Sequence, residues 1–282
     1  MRGTFALLVA AALAAIGLAG CGSDEISDEL SPQAAVAEAA TKTADAGSAR
    51  FTFTGTMSGV PGGPFTFEGE GAFSGQQGRM TFDMSDLGAA TGGAFGGEME
   101  MLMDGLLIYM KFPPQIASEL PGGKEWIRID LAAAGEELGI DFEELTQFQQ
   151  ADPTQTLQYL RGATEDFEEV GSEEVRGVET THYRGTIDLR KALEQIPADS
   201  RDAFERVLEL VGDTKMPFEV WIDNDGLARR MEYEQPLPAG EGGEETTMVL
   251  TMDMYDFGAE VDVEPPPDDE VLDLQELMGQ GG

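Results

Sequence analysis

The residue types that most often carry chemistry are scarce in this chain. Its 282 residues include one histidine, His182, and one cysteine, Cys21. His182 lies in the alternating run Thr180-Thr181-His182-Tyr183-Arg184, and no Gly-x-Ser-x-Gly turn lies near it. A strand histidine with structural contacts is therefore favoured over a catalytic base. One histidine and one cysteine also fall short of a zinc site.

Two groups of acidic residues could hold a metal or act as a catalytic pair. Asp223-Asn224-Asp225-Gly226 resembles the start of a calcium loop, and Glu234 stands at position twelve from Asp223. The intervening residues alternate like a strand, so the tetrapeptide predicts a hairpin turn. Adjacent acids such as Glu168-Glu169 have no apolar pocket pattern of the kind a glycosidase needs. We therefore predict a protein that is not an enzyme and binds no metal or other cofactor.

Cys21 lies at the end of an apolar N-terminal segment. Residues 1–20 combine Arg2 with an apolar run that is too short for a membrane span, which is typical of a secretory signal peptide. The run ends in Leu18-Ala19-Gly20-Cys21, which matches the lipobox of bacterial lipoproteins at all four positions. We predict cleavage before Cys21, acylation of its thiol, and a flexible acidic stalk over residues 21–31. An ordinary signal peptide followed by a chance cysteine is the alternative.

The charge balance limits the possible partners. The chain has 17 Lys and Arg against 54 Asp and Glu, a formal net charge of −37. It has no basic stripe that could neutralise phosphates, so nucleic acid is excluded as a partner. An anionic leaflet would repel such a surface, so we expect the lipid on Cys21 to hold the protein at the extracytoplasmic face of the cell membrane.

The pattern of apolar residues predicts an α+β fold. Ser31-Pro32 indicates the start of an alanine-rich helix that ends before Gly47, and from Arg50 the apolar period changes from helical to twofold. About ten strands follow in one antiparallel set, with helices predicted within 131–162, 189–196 and 200–211. A sheet of that width must curl, so we predict one curved sheet over 32–264, helices on its concave side, and an acidic, proline-rich tail over 265–282.

Several of these segments resemble a known group of proteins. They are Ser48-Ala49-Arg50-Phe51, Val175 to Asp188, and Pro217-Phe218-Glu219-Val220-Trp221-Ile222-Asp223 followed by Gly226-Leu227-Ala228-Arg229-Arg230. Together with the lipobox they resemble actinobacterial lipoproteins of the LppX/LprG type, which are similar in fold to the LolA and LolB lipoprotein carriers. The resemblance implies a half-open β-barrel with helices over its mouth and an apolar cavity for lipid acyl chains.

The distribution of methionine and phenylalanine also favours an apolar cavity. The chain has 14 Met and 15 Phe, concentrated at alternating strand positions, and methionine adapts to irregular apolar partners. We predict a lipid-binding lipoprotein for lipid or lipoprotein transport in the cell envelope. The alternative is a sensor or scaffold with a solid core that binds a protein partner. The predicted lining residues are Phe51, Phe53, Phe65, Phe67, Met80, Phe82, Met99, Met101 and Trp126.

Overall fold

Alternating apolar and polar residues build one sheet that organises the molecule. A computed structural model describes residues 31–59, 63–85, 96–138, 164–195, 201, 205, 208, 215–237 and 246–279. The strands are β1 (Ser48–Ser58), β2 (Phe65–Ser74), β3 (Gln77–Asp83), β4 (Glu98–Asp104), β5 (Leu107–Lys111), β6 (Trp126–Asp130), β7 (Thr164–Val175), β8 (Val178–Asp188), β9 (Lys215–Asp223), β10 (Ala228–Leu237), β11 (Thr246–Tyr255) and β12 (Val271–Asp273). The helices are α1 (Pro32–Asp45), α2 (Pro114–Ala117), α3 (Leu131–Leu138), α4 (Leu189–Gln195) and α5 (Leu274–Gly279).

The sheet consists of two meanders that meet at the first and last long strands. Its order is β12-β6-β5-β4-β3-β2-β1-β11-β10-β9-β8-β7. All described pairs are antiparallel except β12 with β6. The two end strands, β12 and β7, do not pair with each other within the described part of the chain, so the sheet is open. The predicted single antiparallel sheet is thus confirmed, with β12 as a parallel addition.

The β7–β8 hairpin turns later than the sequence indicated. The apolar alternation predicts strands over Thr164 to Val170 and Val175 to Ile187, but the turn between the two strands is at Arg176 and Gly177. Both residues have positive φ angles, of 50° and 82°, as the tight turns that suit twisted hairpins require. Gly171 stands instead at a register shift inside β7, where it forms a bulge.

Helix α1 begins where the sequence predicted. Ser31 is its N-cap, and its hydroxyl oxygen accepts a hydrogen bond from the backbone N–H of Ala34 at 3.3 Å. Val36 and Ala39 of this helix are buried in a core cluster with Phe51 and Val220. The helix is therefore fixed to the sheet by packing along one face.

The C-terminal segment belongs to the sheet, although the sequence assigned residues 265–282 to a tail. Val271 and Leu272 are buried, and β12 pairs with β6. Arg128 donates two hydrogen bonds to the carboxylate of Asp273, at 2.7 and 2.9 Å. The sequence of the tail is compatible with one short helix from Val271 to Met278, but helix α5 begins only at Leu274. The three residues before it become a strand because the edge of β6 offers unpaired backbone groups.

Other predicted features lie wholly or partly outside the described residues. These are the leader, Cys21 and the stalk, most of the glycine-rich loop 88–97, and the helices expected within 139–162. Of the helix expected over 200–211, residues 201, 205 and 208 are described, and they are helical.

Candidate ligand-binding face

The register of the strands places most predicted lining residues on one side of the sheet. Side chains that face each other across antiparallel strands share a face. Phe53 lies opposite Gly69, which lies opposite Phe82, which in turn lies opposite Met99. The same register brings eight of the nine predicted residues onto this side, which we call the apolar face: Phe51, Phe53, Phe65, Phe67, Met80, Phe82, Met99 and Met101.

Trp126, the ninth residue, is on the opposite face, so the prediction that it lines the apolar face is wrong. Lys111 lies opposite Trp126 in the register, whereas Met110 lies opposite Ile127, which is on the apolar face. Trp126 is 6% exposed because Val261 and Val263, from the segment after β11, cover it on the outside. Its size and hydrophobicity predicted burial correctly, but the alternation of β6 alone did not identify which side was covered.

Glycines on the apolar face let phenylalanine rings lie against the neighbouring strand. A Cβ atom at Gly55 would overlap the ring of Phe67, and one at Gly69 would overlap the ring of Phe53. Gly71 has the same relation to Phe51. Ring neighbours follow at centroid distances near 6 Å, such as 6.2 Å between Phe53 and Phe67. These rings therefore cover the backbone of the central strands as an aromatic layer.

Burial on this face is uneven, and two of its buried rings lie on β1, in the middle of the sheet. Phe51, Phe53, Phe65 and Met99 are buried. Further side chains on the same face are only half-buried, and we call this set the half-buried band: Phe67, Met80, Phe82, Met101, Phe218, Met231, Leu250 and Met252. Helix α1 packs beside one end of the face, and Leu274 and Leu277 of α5 pack at the other. The arrangement offers an extended apolar surface to a ligand.

Two tyrosines and a glutamine lie on the apolar face, and the sequence-based site list missed them. Tyr233 lies opposite Leu250 and Phe218, Gln235 opposite Met248, and Tyr183 opposite Val220. Burial raises the pKa of Tyr233 to about 12. Burial, followed by the charge of Glu169, also raises the pKa of Tyr183. Both hydroxyls are therefore protonated donors at neutral pH. The alternation of Met231, Tyr233 and Gln235 with charged residues could have found two of the three.

His182 is on the opposite face and takes part in a network that links β7, β8 and β9. Its ring stacks on Trp221 at 4.0 Å between centroids, with 8° between the planes. Nε2 of His182 lies 2.6 Å from Glu219 Oε2, and Trp221 donates to Glu173 at 3.1 Å. Arg184 donates to the second oxygen of Glu219 at 2.8 Å. These contacts agree with the structural role predicted for His182.

The tetrapeptide at Asp223 forms the predicted hairpin turn. Asp223 Oδ1 accepts hydrogen bonds from the backbone N–H groups of Asp225 and Leu227, both at 2.9 Å. Arg229 donates to the other oxygen of Asp223 at 2.5 Å. Within the described ranges, no group of three or more His, Cys, Asp and Glu side chains is placed to hold a metal ion. None of the described helices is long and apolar enough to cross a membrane.

The fold and this face define a class: an open, single-sheet α+β domain whose apolar side is left partly uncovered. No protein-family model matches the chain. Two Streptomyces proteins are similar to part of it. An uncharacterized protein from the rplA–rplJ intergenic region of Streptomyces griseus is 35% identical over 170 residues, covering 57% of this chain and 52% of the relative. A candidate lipoprotein of Streptomyces coelicolor is 28% identical over 171 residues, covering 58% and 48%. The chain thus spans about half the length of each of these relatives.

Solved structures of mycobacterial lipoproteins are similar to the chain as well. The Mycobacterium tuberculosis lipoprotein LppX has a TM-score of 0.49 and 12% identity, with 84% of this chain and 100% of that chain covered. LprF from Mycobacterium bovis has a TM-score of 0.43 and 16% identity, with 83% and 96% covered.

Proposed function

We propose that this chain is a lipid-anchored protein of the cell envelope that binds lipid acyl chains on its apolar face. The observation that carries the proposal is the half-buried band. A sheet with a solid core on this side would bury Phe67, Phe82, Met101 and Leu250 as deeply as Phe51, yet they remain partly accessible. Removing apolar surface from water yields roughly 25 cal/mol per Å², so an acyl chain lying along this band has a strong driving force.

The chemistry of the band suits acyl chains of variable shape. Met80, Met101, Met231 and Met252 supply side chains that are flexible and readily adapt to a partner. The aromatic layer beneath them is held in place by the glycines, so the adaptable residues lie on a firm support. We infer that helices cover the concave side of the sheet and enclose the ligand, with α1 and α5 as the described parts of that cover.

The proposed role needs no catalysis. His182 is held by Trp221 and Glu219 on the face away from the band, and its contacts are those of a structural residue. We propose that the protein is not an enzyme and carries lipid, or a lipid-modified partner, within the envelope. Its tether would be the lipid on Cys21.

Native mass spectrometry tests the proposal directly. The mature chain with Cys21→Ser would be exported behind a leader for soluble proteins, purified from an actinobacterial host without detergent, and then extracted for lipid. We expect one or a few lipid molecules bound at defined stoichiometry. A clean protein mass, with no uptake of a fluorescent fatty acid, would overturn the lipid-binding proposal and favour a sensor or scaffold that binds a protein partner.

Two substitutions separate a binding face from a solid core. Phe82→Glu places a charge in the half-buried band, and we expect the protein to stay folded while losing bound lipid. Phe51→Glu, in the buried aromatic layer, is the matched control and should unfold the domain, since an unpaired buried charge is strongly destabilising. Equal unfolding of both variants in urea would contradict an accessible face.

A further inference from the structure

We propose that the β8–β10 part of the apolar face is a polar subsite that recognises an uncharged head group carrying hydroxyl or ester oxygens, and so orients the lipid. The inference rests on the proposed lipid binding and adds the class of ligand. It is carried by Tyr183 and Tyr233, which place hydroxyl groups beside apolar side chains such as Val220, Phe218 and Leu250, with Gln235 at the border. On this assignment the acyl chains lie towards β2–β6 and the head group towards β8–β10.

The two tyrosines lie two strands apart and two residues out of line. Tyr183 lies opposite Val220, which lies opposite Met231, so its Cα is about 10 Å from that of Tyr233 across the strands and about 7 Å along them, roughly 12 Å in all. Gln235 is two residues further along β10 and is buried, so it borders the subsite while the two hydroxyls form it. No hydrogen bond connects either tyrosine hydroxyl to another residue in the described part of the chain, and a hydroxyl with no partner there can donate to a ligand oxygen.

The apolar face differs between its two halves. On β3 to β6 the described side chains pointing to this face are purely apolar, as with Met80, Phe82, Met101 and Ile127. The hydrogen-bonding groups thus lie at the β8–β10 end of the half-buried band. An amphiphile therefore fits this face in one orientation, with its head group over β8–β10. In the reverse orientation the head group would lose its hydrogen bonds with water, and the apolar side chains of β3 to β6 would offer none in exchange.

The charges around the subsite select against an anionic head group. Arg184, Lys215 and Arg230 project from the opposite face in the register of β8, β9 and β10. Arg184 and Arg230 are also engaged there, by Glu219 and by Asp253. The charge that acts on Tyr183 is the negative one of Glu169. A carboxylate or phosphate would therefore meet repulsion here, whereas an alcohol or ester would not.

Competition between matched lipids tests the subsite. Diphenylhexatriene, a fluorescent hydrocarbon without a head group, would be bound to the mature Cys21→Ser chain and displaced by 1-monooleoylglycerol or by oleate, which share an acyl chain. We expect monooleoylglycerol to displace the probe at concentrations at least about threefold lower than oleate. In the double variant Tyr183→Phe, Tyr233→Phe, its advantage should fall by about threefold to tenfold, the value of one or two hydrogen bonds.

The controls separate this inference from the proposed function. Tyr255→Phe removes a hydroxyl from the opposite face, where the guanidinium of Arg176 lies 4.0 Å from the ring centre, and should leave the preference unchanged. Diphenylhexatriene affinity should be the same in all variants, because the probe has no head group. If the probe binds but the double variant keeps the full preference, or if oleate competes as well as monooleoylglycerol, the subsite is refuted. If the probe does not bind at all, the proposed function fails, and the subsite with it.

Discussion

The packing of the central strands requires their glycines as much as the phenylalanines that cover those glycines. Gly69 lies between Phe53 and Phe82 in the register, and a Cβ atom there would overlap both the ring of Phe53 and the backbone oxygen of Thr81. A strand glycine normally weakens a sheet. Here the missing side chain leaves room for an aromatic ring from the next strand. The ring fills the space above Gly69 that a side chain at this position would otherwise occupy.

Gly69→Ala should therefore destabilise the domain. The added methyl group overpacks the aromatic layer, and we expect a loss of about 1–3 kcal/mol in the free energy of unfolding, measured in urea. Gly78→Ala is the matched control, because Gly78 lies on the same face and a Cβ there would find its nearest neighbour at 3.5 Å, Met103 Cε. A similar loss in both variants would mean that the ring of Phe53 does not depend on the glycine.

Glu219 gives the network on the opposite face a pH dependence. Burial alone would raise the pKa of Glu219, but hydrogen bonds from Arg184 and His182 together hold the pKa below its ordinary value. A carboxylate with a lowered pKa stabilises the folded state above its unfolded pKa, and this stability is lost as pH falls through the folded pKa.

We therefore expect Glu219→Gln to lower stability at pH 7 and to make the acid loss of stability between about pH 5 and pH 3 less steep. Urea unfolding at a series of pH values measures both effects. Glu179→Gln serves as the comparison, because Glu179 is an exposed group on β8 outside this network and its replacement should leave the pH profile unchanged. Parallel pH profiles for the original chain and Glu219→Gln would contradict this account.

At the scale of elements, the C-terminal segment closes the β6 edge of the sheet. It crosses the opposite face over Trp126, adds β12 beside β6, and then places Leu274 and Leu277 of α5 on the apolar face. A three-residue parallel strand has few backbone hydrogen bonds, so it is held by the buried side chains of Val271 and Leu272 together with the ion pair of Arg128 with Asp273.

Asp273→Asn should loosen this closure without unfolding the sheet. Both partners are about one-third exposed, so the pair is only moderately strong, and we expect amide exchange in 271–279 to become about threefold to tenfold faster. Hydrogen exchange with mass spectrometry locates the change. Asp253→Asn breaks the comparable pair with Arg230 in the middle of the sheet and should leave exchange in 271–279 unaltered. Unchanged exchange after Asp273→Asn would assign the closure to apolar packing alone.

The sequence predicted elements well where periodicity was long. The strands from Ser48 to Tyr255 have apolar and polar residues that alternate over five or more positions, and Ser31-Pro32 indicates the start of α1. These features could therefore be placed before the structure was known. The β7–β8 turn was misplaced because the strand continues through a bulge at Gly171 to a turn at Arg176 and Gly177, and the apolar alternation does not extend across that bulge. The side of the sheet on which Trp126 is buried depends on a distant segment of the chain folding back over it, and so does the pairing of β12. No local sequence pattern indicates such a contact.

At the scale of the whole molecule, the tether and the charge have complementary roles. A net charge of −37 would keep the surface away from an anionic leaflet, so under the proposed function attachment would depend on lipid at Cys21. From Cys21 to the N-cap Ser31, ten residues reach at most about 35 Å. The domain would remain near the membrane without lying on it.

Cys21→Ser should release the protein from the membrane. We expect the variant in the soluble fraction after cell lysis and the original chain in the membrane fraction, with a mass that includes the acyl groups. Ser23→Ala, two residues along the stalk, is the control and should stay membrane-bound. Retention of Cys21→Ser in the membrane would show that another part of the chain provides the attachment.

The central pairing of β1 with β11 has a consequence for how the chain reaches its fold. These strands join residues as far apart as Arg50 and Tyr255, 205 positions along the chain, so the earliest strand to be synthesised must wait for nearly the last. Until then an unpaired edge bearing Phe51 and Phe53 is open to wrong partners. Such non-local closure folds slowly, and we expect refolding followed by stopped-flow fluorescence to have a late phase in which the two meanders join. Newly exported chains would then depend on protection during that interval.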